Sequence, residues 1–328
     1  MTNILVVKTT SLGDLVHTLP AITDLAQRIP DVRIDWVAEE AFTDIPTLHP
    51  AIRRVIPVAL RRWRKTPWQS ATRHELGAFL RTLRAIEYDL VLDYQGLIKS
   101  AVITCLAYGR RWGLNWYSAR EPLATLCYDR RCMVACDQHA VTRNRALAAC
   151  ALGYELPIDP PNYGIVQSLS QPIGMVLSER YVVCLHATSR ASKNWSPEHW
   201  ITLGRILTKR GWTCLLPWGN ERERGAAITL AGEIPQARVL PALTLRELAS
   251  VLSGAEVVIG MDTGLTHLAV ALGRPTVALY TDTAPKLTGV LAGQIGWAIN
   301  LGGPGQIPNP EQVVAAIDGK PILLGEIS

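Results

Sequence analysis

The residues of this chain best suited to chemistry lie in short polar turns that follow apolar runs. The clearest such turn is Asp262-Thr263-Gly264, which comes after Val257–Ile259. A β-branched run without polar alternation is typical of a parallel strand covered on both faces, and ligands bind beyond the carboxyl ends of such strands. Free N–H groups at the start of the helix predicted at Leu265–Leu272 would favour an anionic group such as a phosphate. The alternative is an ordinary turn in which Asp262 or Thr263 caps the helix.

A second polar turn, Thr9–Asp14, follows an apolar strand predicted at Asn3–Lys8 and precedes a helix predicted at Leu15–Arg28. Strand, turn and helix in this order indicate the first unit of a doubly wound sheet. Gly13 stands alone, so the G-x-G-x-x-G fingerprint of dinucleotide-binding proteins is absent and an oxidoreductase is disfavoured. Asp14 is the one acid of the turn.

The strand–turn–helix order recurs along the chain and predicts an α/β protein of two Rossmann-like, doubly wound domains facing a cleft. We predict an N-terminal domain at 1–160, a linker at 161–175, a C-terminal domain at 176–308, and a C-terminal helix and tail at 309–328. This arrangement would place the Asp14 and Asp262 turns at facing strand ends. Residues 110–133 are rich in aromatic side chains and are predicted to be irregular.

Composition sets bounds on the class of protein. With 328 residues, 48% of them hydrophobic, the chain can build two cores. Its short apolar start does not resemble a signal peptide, and no run approaches the about 18 apolar residues of a spanning helix, so we predict a cytoplasmic protein. Most of the seven cysteines are predicted to be free buried thiols, and Cys132 and Cys136 lack the second pair that a zinc site needs.

One segment carries the excess positive charge. Seven Lys or Arg and no acid lie between Arg53 and Arg73, within a chain of net charge +5. The centre of this segment is Arg61-Arg62-Trp63-Arg64-Lys65, which we call the basic patch, and Trp68 follows it. Its composition suits a phosphorylated acceptor, an anionic membrane surface or a solvated face. Nucleic acid is disfavoured, because no nucleic-acid-binding module surrounds the patch.

Seven segments resemble, in their joint order, the ADP-heptose:lipopolysaccharide heptosyltransferases. They are VVKTTSLGDLVHTLPA, IPVALRRWRK, DYQGLIKSA, AREPLA, HATSRASKNW, LPWGNERER and MDTGLTHLAVALGRPTVALY. The resemblance covers nearly the whole chain and implies the two-domain GT-B fold and sugar transfer with inversion. The RRWRK and AREPLA segments are most similar to those of members that add the first heptose to Kdo2-lipid A.

Inversion needs a base that takes the proton from the attacking hydroxyl of the acceptor. The resemblance implies Asp14 in that role, with a helix cap as the alternative. Bidentate guanidinium pairing suits the carboxylates and phosphates of Kdo2-lipid A. The implied acceptor-binding residues are Ser11, Gly13, Arg61, Arg62, Arg64, Lys65, Arg120 and Arg143.

Departing ADP develops negative charge, which cations and backbone donors stabilise. The resemblance implies a lysine and two hydroxyls for the phosphates, two acids for sugar hydroxyls and an apolar side chain for adenine. These donor-binding residues are Thr188, Ser189, Lys193, Glu223, Leu243, Asp262, Thr263, Gly264, Leu265 and His267. Three alternatives stay open: Lys193 as a solvated loop lysine, His267 as a core histidine, and Glu221 in place of Glu223.

The sequence therefore predicts transfer of L-glycero-D-manno-heptose from ADP-heptose to a Kdo residue of Kdo2-lipid A, without a metal or other cofactor. The protein is expected to be a monomer, peripheral on the cytoplasmic face of the anionic inner membrane, with no nucleic-acid partner. One alternative is a heptosyltransferase that acts later in the core. Another is a non-catalytic module that binds ADP-sugars.

Overall fold

The computed structural model describes residues 1–165, 180–188, 190 and 193–319. The chain divides into two compact units, Met1–Val166 and Gln167–Ser328, and each contains a six-stranded sheet. All strand pairs within the two sheets are parallel, and helices connect the strands, which confirms the predicted α/β class. The predicted domain boundaries remain a prediction, because most of the predicted linker lies outside the described residues.

The first unit alternates strands and helices. Its strands are β1 (Thr2–Val7), β2 (Val32–Glu39), β3 (Ile52–Val58), β4 (Glu87–Asp93), β5 (Tyr108–Leu114) and β6 (Arg130–Cys132). Its α-helices are α1 (Leu12–Val16), α2 (Leu19–Arg28), α3 (Asp44–Thr47), α4 (Leu60–Trp63), α5 (Ser70–Leu83), α6 (Ile98–Leu106) and α7 (Ala140–Leu152), and 3₁₀ helices span Glu40–Phe42 and Pro122–Cys127. The strands lie in the order β3-β2-β1-β4-β5-β6.

The second unit repeats the pattern. Its strands are β7 (Tyr181–Leu185), β8 (Thr213–Leu216), β9 (Arg238–Val239), β10 (Val257–Met261), β11 (Thr276–Tyr280) and β12 (Ala298–Gly302). Its helices are α8 (Pro197–Lys209), α9 (Glu221–Glu233), α10 (Leu245–Ser253), α11 (Gly264–Ala271) and α12 (Pro310–Asp318). The strands lie in the order β12-β11-β10-β7-β8-β9.

The two sheets have the same topology when each is counted from its own first strand. In both, the first and fourth strands are neighbours, and the winding of the chain reverses between them. Such a switch point opens a crevice at the carboxyl ends of the two strands, where α/β proteins bind their ligands. In the first unit the turns after β1 and β4 line this crevice; in the second, those after β7 and β10 do.

Apolar runs along the central strands form the cores. Ile4, Leu5, Val6 and Val7 of β1 are fully buried, as are all five residues of β10. Fully burying one such aliphatic side chain stabilises the fold by about 1.5–3 kcal/mol. Several of the abundant tryptophans also belong to the cores and are nearly inaccessible to solvent: Trp36, Trp195, Trp200 and Trp212.

The prediction of irregular structure at 110–133 is wrong. This segment contains most of β5, the second 3₁₀ helix and β6, which extend the first sheet beyond β4. The sequence of β5, YGRRWGL, lacks an apolar run, and its strand character comes from pairing with β4 on one side and β6 on the other. Gly113 is required there, because a Cβ atom would lie 2.3 Å from the Tyr128 ring.

Two further elements of the first unit differ from the sequence prediction. The single helix expected at Leu15–Arg28 is instead α1 followed by α2, and the new helix starts with a proline in its first turn. Strand β3 was not predicted, because arginines interrupt its apolar residues. Both arginines, Arg53 and Arg54, bind Asp35 of the neighbouring β2, so they do not belong to the basic patch.

The prediction that the cysteines are free buried thiols is wrong for several of them. Cys132 at the end of β6 and Cys150 in α7 form a disulfide, with their Cα atoms 6.0 Å apart. Cys105 and Cys136 are free but exposed, whereas Cys184 and Cys214 are free and buried, as expected. The packing of α7 against β6 brings the bonded pair together, and eighteen residues separate its members in the sequence.

The described residues contain neither a membrane-spanning helix nor a metal-binding cluster. No helix there is both long enough and apolar enough to cross a membrane. No group of three or more His, Cys, Asp or Glu side chains in the same residues could hold a metal ion. Metal-independent chemistry remains a prediction.

Candidate functional site

Asp14 lies in the first turn of α1, directly beyond the carboxyl end of β1. Its Oδ2 atom accepts hydrogen bonds from the backbone N–H of Ser11 at 2.8 Å and from the Ser11 hydroxyl at 2.9 Å. The side chain is 35% exposed, and its Oδ1 atom faces the ammonium of Lys8 at 3.8 Å. The partly exposed carboxylate thus combines a helix-capping contact on one oxygen with a second oxygen that faces a cation and for which the described residues provide no hydrogen-bond donor.

Lys8, the last residue before this turn, has a buried side chain. Its Nζ atom donates to the carbonyl of Tyr94 at 2.9 Å, at the end of the neighbouring β4. Burial lowers the pKa of Lys8, while the charges of Asp14 and Asp93 oppose that shift. Lys8 therefore brings a cation to the base candidate from inside the protein, and sequence reasoning assigned it no role.

The turn after β4 holds the Asp14 turn in place. The Oε1 atom of Gln95 accepts from the backbone N–H groups of Thr9 and Thr10, both at 3.2 Å. Lys99, in the first turn of α6, donates to the Thr10 hydroxyl at 2.9 Å. Both contacts follow from the sheet order, which places β4 beside β1.

Buried Asp93 in turn anchors the turn that carries Gln95. Its Oδ1 atom accepts from the N–H groups of Gln95 and Gly96, and its Oδ2 atom from the hydroxyls of Ser100 and Tyr128. Burial raises the pKa of Asp93, and these hydrogen bonds oppose the shift. With four donors, Asp93 has a structural role in positioning Gln95.

A cavity of about 450 Å³ lies at the basic patch. Its lining includes the cations Arg61, Arg64 and Lys99, together with Glu39, Leu60 and Trp63. Because Lys99 also contacts Thr10, the cavity adjoins the Asp14 turn. An anionic group bound there would meet three cations close to the base candidate.

Acidic side chains approach the patch although none lies within its sequence. Arg62 forms ion pairs with Glu40 at 2.9 Å and with Glu75 at 2.8 Å. The indole of Trp63 also donates to Glu75, at 2.7 Å. Arg62 therefore has its charge balanced within the protein, in contrast to Arg64 of the same helix end, for which the described residues provide no carboxylate within 4 Å.

The remaining predicted acceptor residues surround Asp14 or lie at the edge of the patch. The positive charges of Arg120 and Arg143 contribute to the lowering of the Lys8 pKa, which burial dominates. Arg143 donates to the Ser118 carbonyl at 2.6 Å, and its buried Nε atom has no partner among the described residues. Ser11 and Gly13 belong to the Asp14 turn, and Lys65 is exposed beyond α4.

In the second unit, Asp262 follows β10 and forms a short ion pair. Its Oδ2 atom lies 2.6 Å from Nζ of Lys193 and accepts from the hydroxyl of Thr283 at 2.8 Å. The side chains of Asp262 and Lys193 are 17% and 18% exposed. The structure therefore brings the predicted cation and the predicted sugar-binding acid into direct contact.

Helix α11 begins immediately after this pair. Thr263 is its N-cap residue, without a side-chain capping bond, and Gly264 and Leu265 are its first two residues. Their N–H groups have no backbone acceptor in the described residues, as expected at the start of a helix. Gly260 permits the close approach of α11 to β10, because a Cβ atom there would lie 2.4 Å from the Thr266 hydroxyl. His267 is 7% exposed and packs within the unit.

The loop after β7 lies beside the start of α9. The Thr188 hydroxyl is 2.8 Å from Oδ1 of Asn194 and 2.6 Å from the Arg190 carbonyl, while Ser189 lies outside the described residues. The Glu223 carboxylate accepts from the Gly219 N–H and the Asn220 amide.

The ring of His186, at the end of β7, is 3.4 Å from the Glu223 carbonyl, whereas Glu221 pairs with Arg224. The contact of His186 is with the backbone of Glu223, so the choice between Glu223 and Glu221 stays a prediction.

Leu243 is half-buried in the loop before α10. A cavity of about 550 Å³ lies nearby, lined by Trp218, Glu221, Arg224, Ile228 and the loop residues 239–242. Leu243 is not among the residues that line it, so its predicted contact with adenine has no support from this cavity.

Sequence reasoning missed four side chains that position these residues: Lys8, Gln95, Lys99 and Thr283. Lys99 and Gln95 lie in a segment quoted for its family resemblance, DYQGLIKSA, but that segment did not suggest that they contact the Asp14 turn. Only the order of the strands reveals those contacts.

Comparison with known proteins gives consistent matches over nearly the full chain. The chain is 46% identical over 287 residues to lipopolysaccharide heptosyltransferase 1 of Escherichia coli K12, covering 87% of this chain and 90% of that one. It is 47% identical to the protein of the same name from Pseudomonas aeruginosa, with 87% and 80% covered.

Solved structures agree. Escherichia coli heptosyltransferase WaaC with ADP superimposes with a TM-score of 0.90 at 42% identity, covering 97% of this chain and 99% of that one. Escherichia coli ADP-heptose lps heptosyltransferase II, at 22% identity and a TM-score of 0.73, shares the fold. The model of the family described as glycosyltransferase family 9 (heptosyltransferase) matches residues 76–303. The chain, with its two doubly wound units and these relatives, belongs to glycosyltransferase family 9, the heptosyltransferases.

Proposed function

We propose that this enzyme transfers L-glycero-D-manno-heptose from ADP-heptose to a Kdo residue of Kdo2-lipid A, with inversion at the anomeric carbon. The observation that carries the proposal is the surroundings of Asp14: an open carboxylate oxygen beside Lys8, in a turn that adjoins a cavity lined by Arg61, Arg64 and Lys99. The relatives named above support the donor and the reaction class.

Asp14 is the proposed base. As the acceptor hydroxyl attacks the anomeric carbon, its proton passes to the open Oδ1 atom of Asp14, the new C–O bond forms, and the bond to the ADP oxygen breaks. Positioned proton transfer of this kind contributes roughly 10²–10⁴-fold to a rate. The contact between Oδ2 and Ser11 fixes the carboxylate, so helix capping and base catalysis use different oxygens of one side chain.

The acceptor is proposed to bind through its anionic groups. Carboxylates of Kdo and phosphates of lipid A pair well with guanidinium groups, and such charge-assisted hydrogen bonds are about twice as strong as neutral ones. Arg61, Arg64 and Lys99 line the cavity for them, and Arg120 and Arg143, whose charges act on Lys8, are further candidates. Arg62 contributes less, because Glu40 and Glu75 already balance its charge.

The donor is proposed to bind at the switch point of the second sheet. The N–H groups of Gly264 and Leu265, with the positive end of the α11 dipole, would hold the diphosphate. Lys193 would neutralise the charge that develops on ADP, and Asp262 orients that lysine. Glu223 and Asp262 would accept hydrogen bonds from sugar hydroxyls. We propose that no metal takes part and that the enzyme acts as a monomer at the cytoplasmic face of the inner membrane, where its lipid acceptor resides.

One assay tests the proposal. Kdo2-lipid A is incubated with ADP-heptose and the protein, and its mass is followed by mass spectrometry. We expect the mass increase of one heptose, together with release of ADP. A parallel reaction with an already heptosylated acceptor separates the two transferase alternatives: a product formed only there would establish a later-acting enzyme. Binding of ADP-heptose without either product would establish the non-catalytic module.

A further inference from the structure

An exposed aliphatic surface lies beside the Asp14 turn, and the proposed function gives it no role. It is formed by α6 and the 3₁₀ helix Pro122–Cys127, which lie side by side. The N–H of Ile98 donates to Glu121 at 2.6 Å near the start of both helices, and Cys105 contacts the Cys127 carbonyl at 3.8 Å near their ends. Two small residues, Ala101 and Ala124, are buried between them.

Each of these helices directs a pair of large aliphatic side chains outward. Ile98 and Val102 of α6 are 47% and 49% exposed, and Leu123 and Leu126 of the 3₁₀ helix are 56% and 71% exposed. Spacings of four residues in an α-helix and three in a 3₁₀ helix place each pair on one face. Since the helices lie side by side and both pairs are exposed, we group the four side chains as one surface, which we call the aliphatic ridge. A contiguous patch of this kind marks an interaction site more often than single exposed residues do.

The chain around the ridge is strongly basic. Residues 97–133 contain six Lys or Arg and two acids. Both acids are engaged within the protein, Glu121 with the Ile98 N–H and Asp129 with Arg111. Two of the cations lie on or against the ridge helices: Lys99 is in α6, and Arg131 donates to the Thr125 carbonyl of the 3₁₀ helix. An apolar face with cations beside it is the composition of a surface that binds anionic lipid.

The ridge also has a fixed relation to the acceptor-binding turn. Lys99 directly follows Ile98 and donates to the Thr10 hydroxyl in the Asp14 turn. The carbonyl of Gly96, two residues before Ile98, accepts from the N–H of Glu121, next to Arg120. A membrane that contacted the ridge would therefore present its lipid headgroups to the cations around Asp14.

We propose that the aliphatic ridge inserts into the interfacial region of an anionic phospholipid bilayer and holds the Asp14 turn at the level of the headgroups. This inference rests on the proposed function, because a lipid acceptor is what gives membrane docking its purpose. A second copy of the chain is a poorer occupant, since its like-charged border would repel the first. The ridge consists of four large side chains, whereas each partner of a stable protein interface contributes roughly 20–30 residues.

The ridge differs from the membrane surface expected from the sequence, which was the basic patch with Trp68. Within that patch Arg62 is paired with Glu40 and Glu75, and Trp68 is 88% exposed. The two surfaces make different predictions and are tested separately.

The test is vesicle flotation of the full chain with vesicles of phosphatidylcholine and phosphatidylglycerol. The Leu123→Ser/Leu126→Ser variant is expected to bind at least about tenfold more weakly than the parent, because the two most exposed side chains of the ridge are lost. The matched control is Ile158→Ser/Ile307→Ser, which removes two aliphatic side chains that are 98% and 61% exposed elsewhere, and it should bind like the parent. If the first variant does not fold, Val102→Thr/Leu126→Gln changes one residue on each helix instead.

Three results would overturn the inference. They are a parent that does not bind these vesicles, a ridge variant that binds as the parent does, and loss of binding in Trp68→Ser but not in the ridge variant. Analytical ultracentrifugation covers the rival occupant: a parent dimer that the ridge variant abolishes, with vesicle binding unchanged, would assign the ridge to a second copy.

Transfer assays separate this inference from the proposed function. The ridge variant should lose at least about tenfold in rate on Kdo2-lipid A in vesicles and keep its rate on the same acceptor with the acyl chains removed. Equal loss on both acceptors would contradict docking as its role. A parent that transfers heptose to neither acceptor would refute the proposed function, whereas flotation would still decide whether the ridge binds membranes.

Discussion

Each unit places an aspartate at its own switch point, and the two aspartates have different surroundings. Asp14 follows the first strand of one sheet, and Asp262 follows the fourth strand of the other, each at the switch point. Asp262 is held by a lysine at 2.6 Å and by Thr283. Asp14 has its lysine at 3.8 Å from one oxygen, while Ser11 donates to the other. The difference fits the proposed division of roles, in which the closely paired Asp262 orients Lys193 and the more loosely paired Asp14 takes the proton.

Replacing each aspartate with asparagine is the sharpest test of this division. Asp14→Asn should lower kcat by about 10³-fold and leave the Kd for ADP within about twofold, since the amide keeps the shape but cannot accept the proton. Asp262→Asn should chiefly change ADP binding, because it releases Lys193. Initial rates and titration calorimetry with ADP measure the two effects.

A matched control for these variants is Asp31→Asn. Asp31 is exposed and has a positive φ of 55°, a conformation that asparagine also adopts readily. This variant should retain both activity and ADP affinity. Loss of a base should leave far less than about a tenth of the parent kcat. If Asp14→Asn kept more than that, the contrast between the two turns would be wrong.

Removing Lys193, the cation that pairs with Asp262, should have the next largest effect. Lys193→Met should raise the Kd for ADP by about tenfold to a hundredfold, because hydrogen bonds to charged groups contribute about 1.5–3 kcal/mol and 1.4 kcal/mol is a factor of ten. Lys209→Met, at the exposed end of α8, is the control. An unchanged Kd in Lys193→Met would mean that the lysine serves Asp262 and not the diphosphate.

The smallest expected effect is on the acceptor KM, and it should differ between Arg62 and the other two arginines of the basic patch. Arg61→Gln/Arg64→Gln should raise the acceptor KM by about tenfold, the equivalent of one lost charge-assisted hydrogen bond, with the donor KM unchanged. Arg62→Gln should raise the acceptor KM by less than about threefold, because exposed ion pairs with Glu40 and Glu75 already occupy its guanidinium. Steady-state kinetics with each substrate varied in turn distinguishes the two. Equal increases in the two variants would show that the carboxylates do not shield Arg62 from the acceptor.

The sequence predicts what local patterns determine. The strands Thr2–Val7 and Val257–Met261 contain apolar runs that pack on both faces, and the structure places them where the pattern indicates. The strand Tyr108–Leu114 was missed, because its arginines and glycines hide it and neighbouring strands define it. Local patterns therefore predict central strands better than those near the sheet edges.

The contacts around the candidate site depend on features that no local pattern contains. The contacts of Lys99 and Gln95 with the Asp14 turn require the order of strands, and the pairing of Arg62 requires Glu75 from a helix thirteen residues on. The Cys132–Cys150 bond likewise depends on the packing of a helix against a short strand. The family resemblance provided residue types and roles, and the fold provided their partners.

The two hydrogen bonds from the Asp14 turn to Gln95 preorganise that turn. One side-chain oxygen accepts from the N–H groups of Thr9 and Thr10, and Asp93 fixes the backbone that carries it. The conformational entropy of this turn is therefore lost when the first unit folds, so acceptor binding does not have to order the turn. Asp14, the proposed base, is then held in its reactive orientation before the acceptor binds. The conformational adjustment that substrate binding requires falls to other parts of the chain.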